Sequence, residues 1–183
     1  MNTMEYAQEI VNELQHSVSQ LGEEAEQVAD LLLRSGKVFV AGAGRSGLMG
    51  RAFAMRLMQV GKDAYVVGET ITPGIDKVDV LVIGTGSGET KGLISMVEKA
   101  RVLGAVVVAV TIMPDSTIGR LADYIVKLPG ATKDQSGNYT TIQPMASLFE
   151  QTMLVVYDAI ILRMMEKTGQ NTTRMFGKHA NLE

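Results

Sequence analysis

There is no cysteine in this chain of 183 residues. That excludes disulfides, thiolate metal sites and a cysteine nucleophile, and it suits a reducing cytoplasm, the compartment expected here. Histidine occurs twice, as His16 and His179, which is too few for a histidine metal cage. No metal and no cofactor are expected. Positive charge is not in excess either. The net charge is −3, whereas proteins that grip a phosphate backbone are usually basic, so no nucleic-acid partner is expected. No apolar run reaches membrane-spanning length, and the longest, near 153–162, is interrupted by Tyr157 and Asp158. The polar start, Met1-Asn2-Thr3-Met4-Glu5, is unlike a secretory signal. What remains is one domain, 1–183, long enough to bury a proper core.

Residues 4–34 carry apolar side chains at spacings of three and four: Ile10, Val11, Leu14, Val18, Leu21, Ala25, Val28 and Leu32. The spacing predicts helix, which Gly22 bends or splits. The stripe packs either on its own domain or on another subunit. Strands and helices then alternate. Strands are expected at 38–41, 64–67, 80–83, 105–111 and 124–128, and helices at 48–60, 91–103 and 116–122. A loop is expected at 129–143, and Pro144 is read as opening a long helix to about 167, since proline suits a first helical position. Residues 169–183 read as a tail. Apolar, β-branched strands between helices imply an α/β fold, a three-layer doubly wound five-stranded parallel sheet of flavodoxin-like type. The 1–34 segment is its N-terminal helical extension.

Two glycine-rich runs follow strands directly: Gly42-Ala43-Gly44-Arg45-Ser46-Gly47 and Gly84-Thr85-Gly86-Ser87-Gly88-Glu89-Thr90. Such loops turn backbone N–H groups toward an anion at the positive end of a helix dipole. Neither ends in Gly-Lys-Ser or Gly-Lys-Thr, so neither is a Walker A loop. The first does satisfy a dinucleotide glycine pattern, with Glu69 about where a ribose-binding acid would fall. Against that reading, Arg45 and Ser46 suit anion contact at the loop itself, and the chain leaves little room for a substrate domain. The second run adds the hydroxyls of Thr85, Ser87 and Thr90, which donate to phosphate oxygens. Thr90 equally suits a plain helix cap.

The pair of runs resembles the sugar isomerase (SIS) domain family, and the likeness covers about residues 30–183. A narrower likeness, to the isomerases of 6-phosphorylated hexuloses, rests on the run from Gln143 to Gln151, on Val66-Val67-Gly68-Glu69-Thr70 with Thr72-Pro73, and on the end from Lys178 to Glu183. The resemblance implies a phosphosugar substrate held by Ser46, Ser87 and Thr90, with Gly44, Gly86 and Gly88 supplying backbone. It implies a homo-oligomer, often a tetramer, with sites completed between subunits, and a C-terminal tail that folds over a site, its own or a neighbour's. The implied reaction moves a carbonyl between C3 and C2 of a hexulose 6-phosphate through an enediolate. A non-catalytic sugar-phosphate sensor and a related aldose–ketose isomerase stand as alternatives.

That reaction needs a base and a proton donor. Glu150, among Met145, Leu148, Phe149 and Met153, is either a half-buried carboxylate aimed at a cleft or an ordinary early-helix acid. His179 is either a proton donor folded over a site or a solvent-exposed histidine. Arg45 holds the substrate or lies on the loop surface, and Glu69 binds sugar hydroxyls or acts as a second acid. Glu89 is expected to stabilise the start of the helix that follows it.

Overall fold

A computed structural model describes residues 1–132 and 139–182. Part of the loop expected at 129–143, and the terminal Glu183, lie outside the described residues. The N-terminal segment is two helices, α1 (Thr3–Val18) and α2 (Glu24–Arg34), split around Gly22 as its position predicts. Then come β1 (Val38–Gly42), α3 (Gly44–Gln59), β2 (Ala64–Val66), β3 (Val80–Gly84), α4 (Lys91–Val102), β4 (Val106–Thr111), α5 (Thr117–Leu121), β5 (Tyr124–Lys127), α6 (Ser147–Thr168) and α7 (Thr172–Phe176).

All strand pairs are parallel, in the order β2-β1-β3-β4-β5. Side chains alternate across the sheet, because successive strand residues face opposite ways. Val38, Val40, Val80, Val82, Val108 and Val110 pack under α2, α3 and α6. Phe39, Ala41, Leu81, Ile83, Val107 and Ala109 pack under α4 and α5. Both faces are covered, which is why the central strands read as unbroken apolar runs.

The amino ends of β1 and β3 are pinned by Asp79, which is buried. Its carboxylate accepts the backbone N–H of Lys37 and of Asp76, both at 2.8 Å, and pairs with Lys37 Nζ at 3.0 Å. Burial pulls its pKa upward, but these bonds outweigh that and hold it below the ordinary 3.8.

Three elements depart from the sequence-based expectation. The first glycine run is not all loop: α3 starts at Gly44, so Arg45 and Ser46 lie in its first turn. Pro144 does not open α6. Met145 and Ala146 follow it with φ of 58° and 65°, a left-handed pair that no helix can include, and the helix begins at Ser147. Two such non-glycine residues each cost about 1 kcal/mol or more, so tertiary contacts must hold them. Finally, the tail contains a short helix, α7, capped by the Asn171 side chain.

Candidate active site

In a sheet of this order, the chain leaves β1 in one direction and β3 in the other. The crevice between their carboxyl ends is therefore the natural ligand site. Gly42 and Gly84 stand opposite each other there. A cavity of about 480 Å³ opens above them, well within the range of small-ligand sites. Its hydroxyls come from Ser46, Thr85, Ser87, Thr90 and Thr132, and among the described residues its one carboxylate is Glu150.

The helices that begin at this cavity share a peculiarity. Ala43 precedes α3, Thr90 precedes α4 and Ala146 precedes α6, and none of the three makes a side-chain capping bond. All three line the cavity. By contrast α1, α5 and α7 start elsewhere and are capped by Asn2, Ser116 and Asn171. Glu23, ahead of α2, makes no capping bond either, but it does not line the cavity. First-turn N–H groups want an acceptor, and the dipole of a helix start favours negative charge. Three long helices thus start at one cavity without a side-chain cap, an arrangement that suits an anionic ligand.

The second glycine run is shaped by its backbone. Gly88 has φ of 66°, and a Cβ there would sit 1.8 Å from Ser116 Oγ, so only glycine fits. Gly88 does not line the cavity; it lets the loop lie against the start of α5. There the Ile118 N–H donates to the Gly88 carbonyl. Thr85 Oγ1 accepts the Gly88 N–H, and Ser87 Oγ accepts that of Glu89. A hydroxyl that accepts still has its own proton to donate. Glu89 does not serve the helix that follows it. Its carboxylate accepts the Thr117 N–H in the first turn of α5, where a free donor lies closer, and this holds its pKa below the ordinary carboxylate value. Thr90 occupies the cap position of α4 without capping it, so its hydroxyl is left to the cavity.

Glu150 is only 2% exposed and lies in the first turn of α6, a turn earlier than the sequence suggested. Its Oε2 is 3.1 Å from Arg45 Nε, and Arg45 Nη1 donates to Ser147 Oγ at 2.8 Å. Arg45 itself is about half exposed. Glu150 is thus a buried acid whose guanidinium partner reaches out to solvent. Sequence reasoning left Arg45 between the ligand and the loop surface; the structure places it against Glu150. Gly44 contributes the turn, with φ of 58°, that brings Arg45 and Ser46 over the crevice.

Of the expected site residues, Gly44, Arg45 and Gly88 stand beside the cavity without lining it, and Glu69 and His179 are not brought in. Glu69 pairs with Arg51 beside Tyr65 and Thr72, away from the cavity. That removes the acid on which a dinucleotide reading depended. His179 lies exposed against Phe176, near Arg56, Gln59 and Asp158, and does not line the cavity of its own chain. Thr132 was not singled out as a ligand contact, and Thr85 was read only with the hydroxyls of its run. Thr85 was legible as the first hydroxyl of its run, whereas Thr132 carries no local signal.

A flavodoxin-like sheet with two glycine loops at its switch point, a hydroxyl-lined cavity and a buried acid defines the class. The chain belongs to the SIS domain family, whose model matches residues 31–162. It is 55% identical, over the full length of both chains, to the 3-hexulose-6-phosphate isomerase of Bacillus subtilis. It is 43% identical to the 3-hexulose-6-phosphate isomerase of Mycobacterium gastri, covering 86% of this chain and 81% of the other. Its fold is similar to the crystal structure of a hypothetical protein from Methanococcus jannaschii, for which a molecular function of 3-hexulose-6-phosphate isomerase was inferred. That match has a TM-score of 0.83 and 28% identity, covering 98% of this chain and 99% of the other.

Proposed function

We propose that this protein is a 6-phospho-3-hexuloisomerase, interconverting D-arabino-hex-3-ulose 6-phosphate and fructose 6-phosphate. It would act in the cytoplasm, in the ribulose monophosphate route of formaldehyde fixation. The observation that carries the reading is the buried Glu150 carboxylate opening into a cavity rimmed by three uncapped helix starts and hydroxyls. The relatives supply the substrate.

The phosphate sits at the glycine runs, where Ser46, Ser87 and Thr90 donate to its oxygens together with backbone N–H groups. Glu150 takes the proton from C2 of the 3-ulose as the C3 carbonyl becomes an enediolate oxygen. The O2 hydroxyl proton passes to O3, the carbonyl re-forms at C2, and the proton taken by Glu150 is delivered to C3, which regenerates the base, so no electron leaves the sugar. Helix-start N–H groups stabilise the developing oxyanion. Arg45 pairs with Glu150 before substrate arrives and then turns to the sugar. His179 returns the proton from a neighbouring subunit, since its own chain keeps it off the cavity. The protein works as a homo-oligomer, a tetramer, and the exposed Met4, Val11 and Val18, at heptad spacing on α1, support such assembly.

The test is an assay coupled to fructose 6-phosphate detection, with the hexulose phosphate made in situ from formaldehyde and ribulose 5-phosphate. Turnover with incorporation of solvent deuterium at carbon is expected. Tight binding of fructose 6-phosphate with no such exchange would convert the reading to a sensor.

A further inference from the structure

The α1 helix lies outside the segment that matches the family model, yet it is bonded to the chain that enters α6. Glu13, on α1, accepts three bonds from consecutive residues of that entry segment. Thr141 Oγ1 donates at 2.7 Å, the Ile142 N–H at 2.8 Å and Gln143 Nε2 at 2.9 Å. One helical turn on, Ser17 is buried and bonded to Thr152 Oγ1 at 2.9 Å, on α6 itself. Ser17 also shares a hydrogen bond with the Tyr139 side chain. Residues 13 and 17 face the same way on a helix, so α1 grips both the entry segment and the helix it enters.

What the grip holds is a strained approach. Gln143 is buried, Pro144 follows it, and then come the left-handed Met145 and Ala146. The Pro144 carbonyl accepts both the N–H and the Oγ–H of Ser147, and Ser147 Oγ accepts from Arg45, which pairs with Glu150. Ala146 lines the cavity, and its carbonyl accepts the Glu150 N–H. An unbroken run of contacts thus joins Glu13 to the acid in the cavity.

We propose that Glu13 is a positioning residue for the isomerisation: by fixing residues 141–143 it holds the left-handed entry to α6, and with it Arg45 and Glu150, in the reactive arrangement. The proposal rests on the reading of Glu150 as the base. A small misplacement of a catalytic group costs up to about 100-fold in rate, whereas phosphate binding at the glycine runs is remote from this grip.

The full-length enzyme is compared with Glu13→Gln, an isosteric change that turns one acceptor into a donor facing a donor. It is also compared with the exchanged pair Glu13→Gln with Gln143→Glu, which restores a matched donor and acceptor, and with Glu150→Gln. Assays run well below each variant's unfolding midpoint. Glu13→Gln is expected to lower kcat about 10-fold or more with KM within about 3-fold, and the exchanged pair to recover most of the loss. A lowered unfolding midpoint with kcat unchanged means a merely structural grip and overturns the proposal, while an inactive Glu150→Gln leaves the base reading standing. Full turnover in Glu150→Gln overturns the base reading, and this proposal with it. Should Glu13→Gln fail to fold, Thr141→Val, which removes one of the three donors, is expected to lower kcat about 3-fold at constant KM, and an unchanged kcat there overturns the proposal.

Discussion

Asp79 and Glu150 are both carboxylates shut away from water, one at each end of the same sheet. At the amino end, Asp79 is met by two backbone N–H groups and Lys37. Its position ties the strand preceding segments together and leaves nothing facing a cavity. At the carboxyl end, Glu150 faces a cavity of ligand size, and its charged partner is half exposed. Equal burial therefore says little about role. A carboxylate held from all sides by fixed donors stabilises the fold. One that shares its surroundings with a cavity and a half-exposed guanidinium is the candidate for chemistry.

That contrast can be broken in several ways. The largest effect expected is on Glu150→Gln, which should lose about 1,000-fold in kcat while still binding fructose 6-phosphate and keeping its unfolding midpoint within a few degrees. Near wild-type turnover would remove Glu150 from the mechanism. Asp79→Asn should do the opposite, costing about 3 kcal/mol of stability in urea unfolding and leaving the activity of the folded enzyme intact. The same residue predicts acid sensitivity. Because its folded pKa lies below the ordinary 3.8, its stabilisation is present above that value and fades as pH falls through the folded pKa. Unfolding measured between pH 5 and pH 3 should therefore steepen in the wild type relative to Asp79→Asn. A smaller effect is expected on Ser87→Ala, with KM raised about 5-fold from one lost phosphate hydrogen bond and kcat little changed. Smallest of all is Glu69→Gln, expected to stay within about 2-fold in both constants, since an exposed pair with Arg51 contributes little. A large loss there would return Glu69 to the ligand.

Much of this was legible in the sequence. The central strands announced themselves as apolar, β-branched runs because both faces of the sheet are covered, and the order of strands and helices left few topologies open. The glycine runs were legible because φ above zero and close backbone approach demand glycine, as at Gly88. What was not legible depends on tertiary contact. Pro144 obeyed a sound local preference for opening a helix, and the left-handed Met145 and Ala146 overrode it. The partnership of Arg45 with Glu150 joins the start of α3 to that of α6, which no spacing rule reports. Glu89 chose the start of α5 over α4 because the fold brings that donor nearer. His179 was read as a tail residue that folds over a site, and within its own chain it folds elsewhere.

The uncapped starts of α3, α4 and α6 carry a thermodynamic consequence. A helix that lacks its cap is marginal at that end, and an anion that occupies the crevice supplies what the sequence withholds. Binding and folding are then linked: sugar phosphate at 100 times its dissociation constant adds about 2.7 kcal/mol to the folded state. Starved of substrate, the same protein is more open to fraying around its crevice, and hence to proteases. On the proposed phosphate site, protection from proteolysis should track occupancy of the crevice.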